Sequence, residues 1–211
     1  MTILDDISLA VQKGKKADVE ALVKQAIAEG IPAQEILNDG LMAAMNIIGP
    51  KFKNNEIFVP EVLVAARAMN AGTEVIKPLL AEEGAPSRGK AVIGTVKGDM
   101  HDIGKNLVRM MIEGKGIEIT DLGVDVPPEV FVDYIRTHED VQLACFSSLL
   151  TTTLPSLEAT VKAVEEAGLR EQIKILIGGA PVTQALADQI GVDGYSPDAA
   201  SAAEKAIELI G

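Results

Sequence analysis

Two hydrophobic patterns divide the chain. Up to about residue 84, apolar residues recur at three- and four-residue spacings, the period of a helix that buries one face. This period predicts four helices, at about 2–12, 17–29, 33–53 and 60–80. Because the connections between them are short, we predict a small antiparallel bundle.

Beyond residue 89, short apolar runs alternate with amphipathic segments. The runs predict strands at 90–96, 117–121, 141–146 and 173–177, with a weak fifth near 193–195. The segments between and after them predict helices at 102–113, 128–137, 154–167, 182–190 and 198–210. Strands that alternate with helices are typical of right-handed crossovers and a parallel sheet. The chain is therefore predicted to be an α/β protein, with an N-terminal four-helix bundle followed by a flavodoxin-like (Rossmann-like) doubly wound sheet.

Glycine and proline mark the boundary between the two patterns. They interrupt the helical period at Gly84-Ala-Pro-Ser-Arg-Gly89, where the composition also changes. We predict a helical domain at 1–84, a linker at 85–89 and an α/β domain at 90–211.

Composition narrows the function classes. The formal net charge of −12 opposes binding to nucleic acid or to an anionic membrane, and 47% hydrophobic content over 211 residues is ample for a packed core. No apolar stretch is long enough to span a bilayer and the amino terminus lacks the pattern of a signal peptide, so we expect a cytoplasmic protein. The one cysteine, Cys145, excludes an internal disulfide, and its apolar neighbours predict a core residue.

Polar side chains gather where two predicted strands end. Asp99 and His101 follow the first strand, and Ser147–Thr153 begins at the end of the third. In a flavodoxin-like order these two strands are neighbours at the topological switch point, so their loops line one crevice. The fourth strand ends in Gly178-Gly179, where something bulky can approach the backbone.

Each of these residues also has an ordinary structural interpretation. A lone loop histidine is more often solvated than a ligand, and Asp99 is well placed to cap the following helix. An aspartate two residues before a histidine equally suits a metal site, in which the carboxylate accepts one imidazole N–H and leaves the other nitrogen for the metal. Ordinary turn chemistry accounts equally well for the others: Ser147, Thr151, Thr153, Gly178 and Gly179.

Other chemistries lack their motifs. The chain has no Walker loop, no Gly-x-Gly-x-x-Gly after the first strand, no Gly-x-Ser-x-Gly elbow and no His-Glu-x-x-His. The second histidine, His138, stands among charged residues typical of a solvated surface. The residues themselves indicate no catalytic constellation.

Three short segments resemble a known signature. Asp99-Met-His101-Asp-Ile-Gly104, Ser147-x-Leu149 and Gly178-Gly179 are similar, in order and spacing, to the Asp-x-His-x-x-Gly, Ser-x-Leu and Gly-Gly motifs of cobalamin-binding domains that hold the corrinoid with its own base displaced. The helical part resembles the cap domain that precedes the corrinoid domain in cobalamin-dependent methionine synthase and in the small corrinoid proteins of methyltransferase systems. Residues 57–69 are similar to the cap segment that covers the methyl face of the corrin.

The resemblance implies a role for each matching residue. His101 would be the lower axial ligand to cobalt (base-off, His-on), Asp99 would accept its other N–H, and Thr153 would continue that chain where methionine synthase has a serine. Ser147 and Thr151 would hydrogen-bond the displaced base. The remaining implied contacts are with the nucleotide tail and its channel: Gly104, Gly178 and Gly179, with Gly94, Leu149 and Tyr195 as weaker candidates.

Two residues of the helical part complete the implied site. Phe58, together with Met69, would shield the reactive face of the corrin. Methionines are also common core residues, and core filling is the more usual role of Met69 and of the others near it in sequence or in the predicted fold: Met42, Met45, Met110 and Met111.

A methyl carrier is the function that the resemblance implies. A substrate-specific methyltransferase would methylate cob(I) on this protein, and a second methyltransferase would pass the methyl group to tetrahydrofolate or coenzyme M. The donor would be methanol, a methylamine, betaine or an aryl methyl ether, and a reductive activation protein is a further implied partner. The chain would then be a non-catalytic subunit and not a complete enzyme.

Two alternatives remain open at this stage. The small subunit of a corrinoid-dependent mutase shares the Asp-x-His-x-x-Gly loop, but ordinarily lacks the helical cap. A cobalamin-binding sensor or regulatory module is the other alternative, although it would need an output domain, and the acidic bundle shows no basic recognition helix.

Overall fold

The structure is a computed structural model that describes residues 2–83 and 87–211. The described residues fall into two compact units. The helices before residue 84, with Gly114–Gly116, form one, and Ser87–Glu113 with Ile117–Gly211 form the other. Residues 84–86 of the predicted boundary and linker lie outside the described residues. Gly89, at its other end, already pairs within the second unit, where its carbonyl accepts a hydrogen bond from the Glu118 N–H at 3.0 Å.

The helical unit contains the predicted helices at the predicted places. Its first helix begins with a reciprocal cap, in which Thr2 and Asp5 satisfy each other's backbone N–H groups. The third predicted helix is continuous but contains a π-helical segment in its middle. The bounds are α1 Ile3–Gln12, α2 Lys16–Ala28, α3 Ala33–Glu35, the π segment Ile36–Met42, α4 Ala43–Lys53 and α5 Val59–Glu83.

Apolar side chains at the helical period form the core of this unit, as the pattern predicts. Gly72 of α5 lets two helices approach closely, because a Cβ there would lie 2.7 Å from the Leu41 side chain. The largest buried side chains include Ile7, Ile36, Leu41, Met45 and Ile76. Within the described ranges, no helix combines the length and the apolar character that a membrane crossing requires.

The second unit is a five-stranded sheet with helices between its strands. All pairings are parallel, and the strand order is β2-β1-β3-β4-β5. The prediction that the first and third strands are neighbours is therefore confirmed. The bounds are β1 Lys90–Thr95, α6 Ile103–Glu113, β2 Glu118–Asp121, α7 Pro128–Thr137, β3 Leu143–Ser147, α8 Leu154–Glu166, β4 Lys174–Gly178, α9 Gln184–Ile190, β5 Gly194–Ser196 and α10 Ala199–Ile210.

Helices cover the sheet in pairs, as a doubly wound fold requires. The helix α6 packs against α10, and α7 packs against α8. Under α7, the rings of Phe131 and Phe146 meet edge to face at 4.7 Å. Gly94 of β1 belongs to this packing, because a Cβ there would lie 2.6 Å from the Phe131 ring. Core packing thus accounts for this glycine, which the resemblance assigns more weakly to the nucleotide channel.

Cys145 is a core residue of β3, as its apolar neighbours predict. Its side chain is buried, and burial raises the pKa of the thiol to about 12. Because the thiolate is the reactive form, we expect Cys145 to react with an alkylating reagent at neutral pH only when the protein unfolds. Mass spectrometry after iodoacetamide treatment, with and without urea, checks this, and rapid labelling of the native protein would contradict it.

Candidate functional site

The candidate site lies at the carboxyl edge of the sheet, between two loops. One loop, 96–102, joins β1 to α6, and the other, 148–153, joins β3 to α8 and ends in a 3₁₀ turn at Thr151–Thr153. The strands that carry them are in register at Thr95 and Ser147, and the Val96 N–H donates to the Ser147 carbonyl at 3.0 Å. This is the edge at which open parallel sheets bind their ligands.

Asp99 is the centre of the hydrogen bonding between the loops. Its carboxylate is fully buried and accepts four hydrogen bonds. Oδ1 accepts from the His101 backbone N–H at 3.0 Å and lies 2.7 Å from His101 Nδ1. Oδ2 accepts from the Leu149 N–H at 2.6 Å and from the Thr153 hydroxyl at 3.1 Å. Asp99 therefore does not cap the helix that follows it; it ties one loop to the other.

These bonds keep Asp99 ionised despite its burial. Burial alone would raise the pKa of this carboxyl. The N–H groups of Leu149 and His101, followed by the side chains of His101 and Thr153, outweigh that effect and lower the pKa to about 2. An ionised carboxylate only accepts hydrogen bonds, so His101 Nδ1 must be the donor. In the neutral imidazole this leaves the lone pair on Nε2.

His101 presents that second nitrogen to solvent. Its side chain is half exposed, and within the described ranges no group hydrogen-bonds its Nε2. The backbone behind it is fixed, because the buried Thr95 hydroxyl donates to the His101 carbonyl at 2.8 Å. A histidine whose Nδ1 is held by a carboxylate and whose Nε2 is open has the orientation of a metal ligand.

Exposed apolar side chains stand close to His101 in sequence and on the facing loop. Met100 and Ile103 are 69% and 74% exposed, and Leu149 and Leu150 are each 39% exposed. Such a concentration on two loops of one site is typical of a binding surface and not of a solvated edge. Gly104 adds free space, because a Cβ there would meet no atom within 4 Å. A large, partly apolar group fits these surroundings.

The structure adds a residue that sequence reasoning missed. Ser148 is fully buried, and its hydroxyl lies 2.8 Å from that of Thr153, so the chain from His101 through Asp99 and Thr153 continues by one residue. Its neighbour in sequence, Ser147, is half-buried, while Thr151 is exposed. The hydroxyls of Ser147 and Thr151 make no hydrogen bond within the described residues, so their predicted contact with a displaced base stays a prediction.

Gly178, the last residue of β4, and Gly179, which follows it, each have a packing reason of their own. Gly179 has a φ of 129°, and a Cβ there would lie 1.8 Å from the Ser148 carbonyl oxygen. A Cβ on Gly178 would lie 3.2 Å from the Ser196 carbonyl oxygen. Gly179 thus lets the loop after β4 touch the loop after β3, beside the site. Tyr195 of β5 is partly buried against the core of the sheet.

The remaining predicted residues lie in the helical unit. Phe58 is 63% exposed immediately before α5, which is unusual for a phenylalanine, and Met69 is buried. Burial of Met69 agrees with core filling, which is the ordinary interpretation of this residue. The role of both side chains at a cofactor stays a prediction.

The side chains available as metal ligands decide which kind of metal or metal-bearing cofactor the site can bind. Among the described residues, no cluster of three or more histidine, cysteine, aspartate or glutamate side chains is placed to hold a metal ion. One imidazole is too few ligands for a bare ion. His101 therefore suits a metal that brings its other ligands with it, in a macrocycle large enough to lie over the exposed apolar side chains.

The fold and the site define a class: an α/β domain that offers one carboxylate-held histidine to a metal-bearing cofactor at the switch point of its sheet. Comparison with known families identifies it further. Family models described as B12 binding domain match residues 89–204 and residues 3–77. The chain belongs to the B12-binding domain family.

Individual relatives match along the whole chain. A dimethylamine corrinoid protein of Methanosarcina acetivorans is 44% identical, over 99% of this chain and 97% of that protein. The crystal structure of a cobalamin-binding protein from Desulfitobacterium hafniense is similar with a TM-score of 0.80 and 31% identity, over 99% of this chain and 98% of that one. A chain of the methanol:cobalamin methyltransferase complex from Methanosarcina barkeri is similar with a TM-score of 0.87 and 29% identity, over 99% of this chain and 79% of that one.

Proposed function

We propose that the protein carries a methyl group on a bound corrinoid between two methyltransferases. The observation that supports this most strongly is the His101 imidazole, held by Asp99 at 2.7 Å through Nδ1 and open at Nε2 among exposed apolar side chains. Full-length similarity to a dimethylamine corrinoid protein supports the carrier role. The family match at 3–77 also favours it over the mutase alternative, which ordinarily lacks a helical cap.

Each residue of the site has a part in this proposal. The corrinoid would supply a cobalt centre that accepts and releases the methyl group. His101 would bind that cobalt through Nε2 in the base-off, His-on form, and Asp99 would fix the ring's orientation and tautomer. Thr153 and Ser148 would hold the Asp99 carboxylate in place. Exposed apolar side chains at the site, such as Met100 of the first loop and Ile103 at the start of α6, would exclude water from the face that they contact.

The proposed partners follow from the carrier role. One is a substrate-specific methyltransferase, and the methanol:cobalamin methyltransferase complex is a precedent for such a pair among the similar structures. The second is a methyltransferase that uses tetrahydrofolate or coenzyme M as the acceptor, and a reductive activation protein completes the set. The cytoplasmic location and the shielding roles of Phe58 and Met69 are part of the same proposal.

An absorption spectrum tests the cofactor and its ligand. The protein is incubated with hydroxocobalamin, desalted and compared with His101→Ala and with His138→Ala, which changes a surface histidine outside the two loops of the site. We expect the wild type and His138→Ala to retain the corrinoid with the same base-off, His-on spectrum, and His101→Ala to lose the histidine-bound form. A wild-type protein that stays colourless after anaerobic reconstitution with several corrinoids would refute the proposal.

A further inference from the structure

The loop 122–127, which joins β2 to α7, contains a residue in an unusual conformation. Asp125 has a φ of 53°, and among the described residues the only other non-glycine residue with a positive φ is Asn55. L-residues rarely adopt this backbone conformation, although aspartate tolerates it better than most. A residue is held in it only where the surrounding contacts impose it.

Asp125 makes two hydrogen bonds to the loop that carries His101. Its Oδ1 accepts from the Gly98 N–H at 2.7 Å, and its own N–H donates to the Asp99 carbonyl at 2.9 Å. The two bonds lie on either side of the Asp99 Cα in the chain. They therefore fix the backbone from which the Asp99 carboxylate reaches His101, and Asp125 makes both of them at its positive φ.

The loop that carries Asp125 is itself firmly attached to the strand before His101. The Val126 N–H donates to the Thr95 carbonyl at 2.9 Å, and the Thr95 N–H donates to the Gly123 carbonyl at 3.0 Å. These bonds extend the pairing of β1 beyond the end of β2. Asp125 is thus attached to the strand that leads into the histidine loop.

A buried ion pair attaches the same loop to the helix after His101. Lys105 of α6 is almost completely buried and pairs with Asp121, the last residue of β2. The other carboxylate oxygen of Asp121 accepts from the Gly123 N–H at 2.8 Å. Segment 122–127 is therefore tied to the chain both before and after His101, which makes it a rigid support for the histidine loop.

We propose that Asp125 is a positioning residue, which holds Asp99 and His101 in their ligand geometry before the corrinoid binds. The inference rests on the proposed function, and it assigns to Asp125 an effect that acts through the backbone of Gly98 and Asp99 without contact to the imidazole. If the His101 side chain is already held in its ligand geometry, no entropy is lost in ordering it when the corrinoid binds. Asp125 would therefore increase the affinity for the corrinoid without contacting it.

Two substitutions separate the carboxylate from the backbone conformation. Asp125→Gly tolerates the positive φ but removes the acceptor for the Gly98 N–H, whereas Asp125→Asn keeps an acceptor oxygen at the same place. The matched control is Asp193→Ala, because Asp193 likewise accepts from a backbone N–H, that of Ile175 at 2.9 Å, but near the amino end of β4. Should Asp125→Gly fail to fold, Asp125→Ser, whose side chain ends one atom earlier, takes its place.

Three measurements test whether Asp125 holds the histidine loop in place. Hydrogen–deuterium exchange of segment 96–104 in the cofactor-free protein reports the loop, the dissociation constant of cob(II)alamin reports affinity, and nitrogen splitting in its electron paramagnetic resonance spectrum reports the histidine-bound fraction. For Asp125→Gly we expect faster exchange at Gly98 and its neighbours, about tenfold weaker binding and a smaller histidine-bound fraction. Asp125→Asn should stay close to the wild type. Asp193→Ala should lower the thermal unfolding midpoint and change none of the three.

The outcomes distinguish this inference from the proposed function. If the wild type binds cobalamin through His101 and Asp125→Gly matches it in all three measurements, the positioning role is wrong. If Asp193→Ala weakens the histidine signal as much as Asp125→Gly does, the effect is general destabilisation and the inference is again wrong. A wild type that binds no corrinoid refutes the proposed function, and with it the positioning of a ligand, even where exchange shows that Asp125 orders the loop.

Discussion

Replacing Gly179 with alanine is expected to lower the free energy of unfolding by about 4 kcal/mol. The added Cβ would lie 1.8 Å from the Ser148 carbonyl oxygen, at a backbone φ of 129° that side chains rarely permit. Ser148 cannot move aside cheaply, because its N–H donates to the Gly178 carbonyl at 3.0 Å and its hydroxyl contacts Thr153. Urea denaturation followed by circular dichroism measures the loss.

Gly104→Ala is the matched control, since both glycines belong to the resemblance but only one is crowded. A Cβ on Gly104 meets nothing within 4 Å, and the residue lies in the first turn of α6. Because alanine favours helix, the variant should be more stable by about 0.5 kcal/mol. If this space is where the corrinoid lies, the same variant binds cobalamin more weakly. Wild-type stability of Gly179→Ala would contradict the first expectation, and wild-type affinity of Gly104→Ala would remove that glycine from the proposed site.

These two glycines show where sequence reasoning about the site reaches its limit. Both fit the signature equally well, yet Gly179 is required by contact with Ser148 and Gly104 faces open space. Contact with a residue thirty-one positions away leaves no periodic trace in the sequence. Gly94 is a third case. A side chain is excluded there by the Phe131 ring, which belongs to α7, the helix that follows β2.

The fold was predictable because its signals are local. Strand and helix periods alternate cleanly through the second unit, so even the short β5 at Gly194–Ser196 was found within one residue of its position. The π segment Ile36–Met42 was not predicted, since a wider turn within a helix hardly changes the spacing of apolar residues. The strand order followed from the general preference of such folds and not from any residue.

Within the site, contacts between residues close in sequence could be predicted, and contacts between distant residues could not. The contact of Asp99 with His101 spans two residues, and a known chemical pattern predicts it. The position of its strand places Thr153 at the crevice, but its pairing with Asp99 came only from the resemblance, because nothing local places its hydroxyl on a carboxylate fifty-four residues earlier. Ser148 and Asp125 were missed, since each acts by a contact that exists only after the loops come together.

Removing the Asp99 carboxylate is expected to destabilise the fold about as much as Gly179→Ala does. Asp99→Ala leaves up to four donors without their acceptor, namely the N–H groups of His101 and Leu149, the Thr153 hydroxyl and the His101 ring. Two of these, the Leu149 N–H and the Thr153 hydroxyl, come from the other loop, so the cost is not confined to one segment. We expect the free energy of unfolding to fall by about 4 kcal/mol. The cofactor-free protein is the right sample, because a bound corrinoid would add its own stabilisation.

Acid titration measures how much the negative charge of Asp99 contributes to stability, separately from the packing of its side chain. The pKa of Asp99 is lowered from 3.8 to about 2 in the folded protein, so the folded state favours the ionised form. The stabilisation from ionisation is therefore complete above about pH 4 and is lost as the pH falls through 2. With allowance for solvent screening it amounts to about 1–2 kcal/mol.

Asp99→Asn tests this account, because it keeps the size of the side chain and removes its titration. An amide has one acceptor oxygen, so its NH₂ group must face either His101 or Leu149, each of which offers a donor. The variant should be less stable than the wild type at pH 7, and the difference should narrow between pH 4 and pH 2 as the wild type loses its charge. Thermal unfolding midpoints across that range measure the difference. If the difference between the two unfolding midpoints stays constant from pH 4 to pH 2, the negative charge of Asp99 does not stabilise the fold. Its hydrogen bonds would then stabilise the fold equally well in the protonated form.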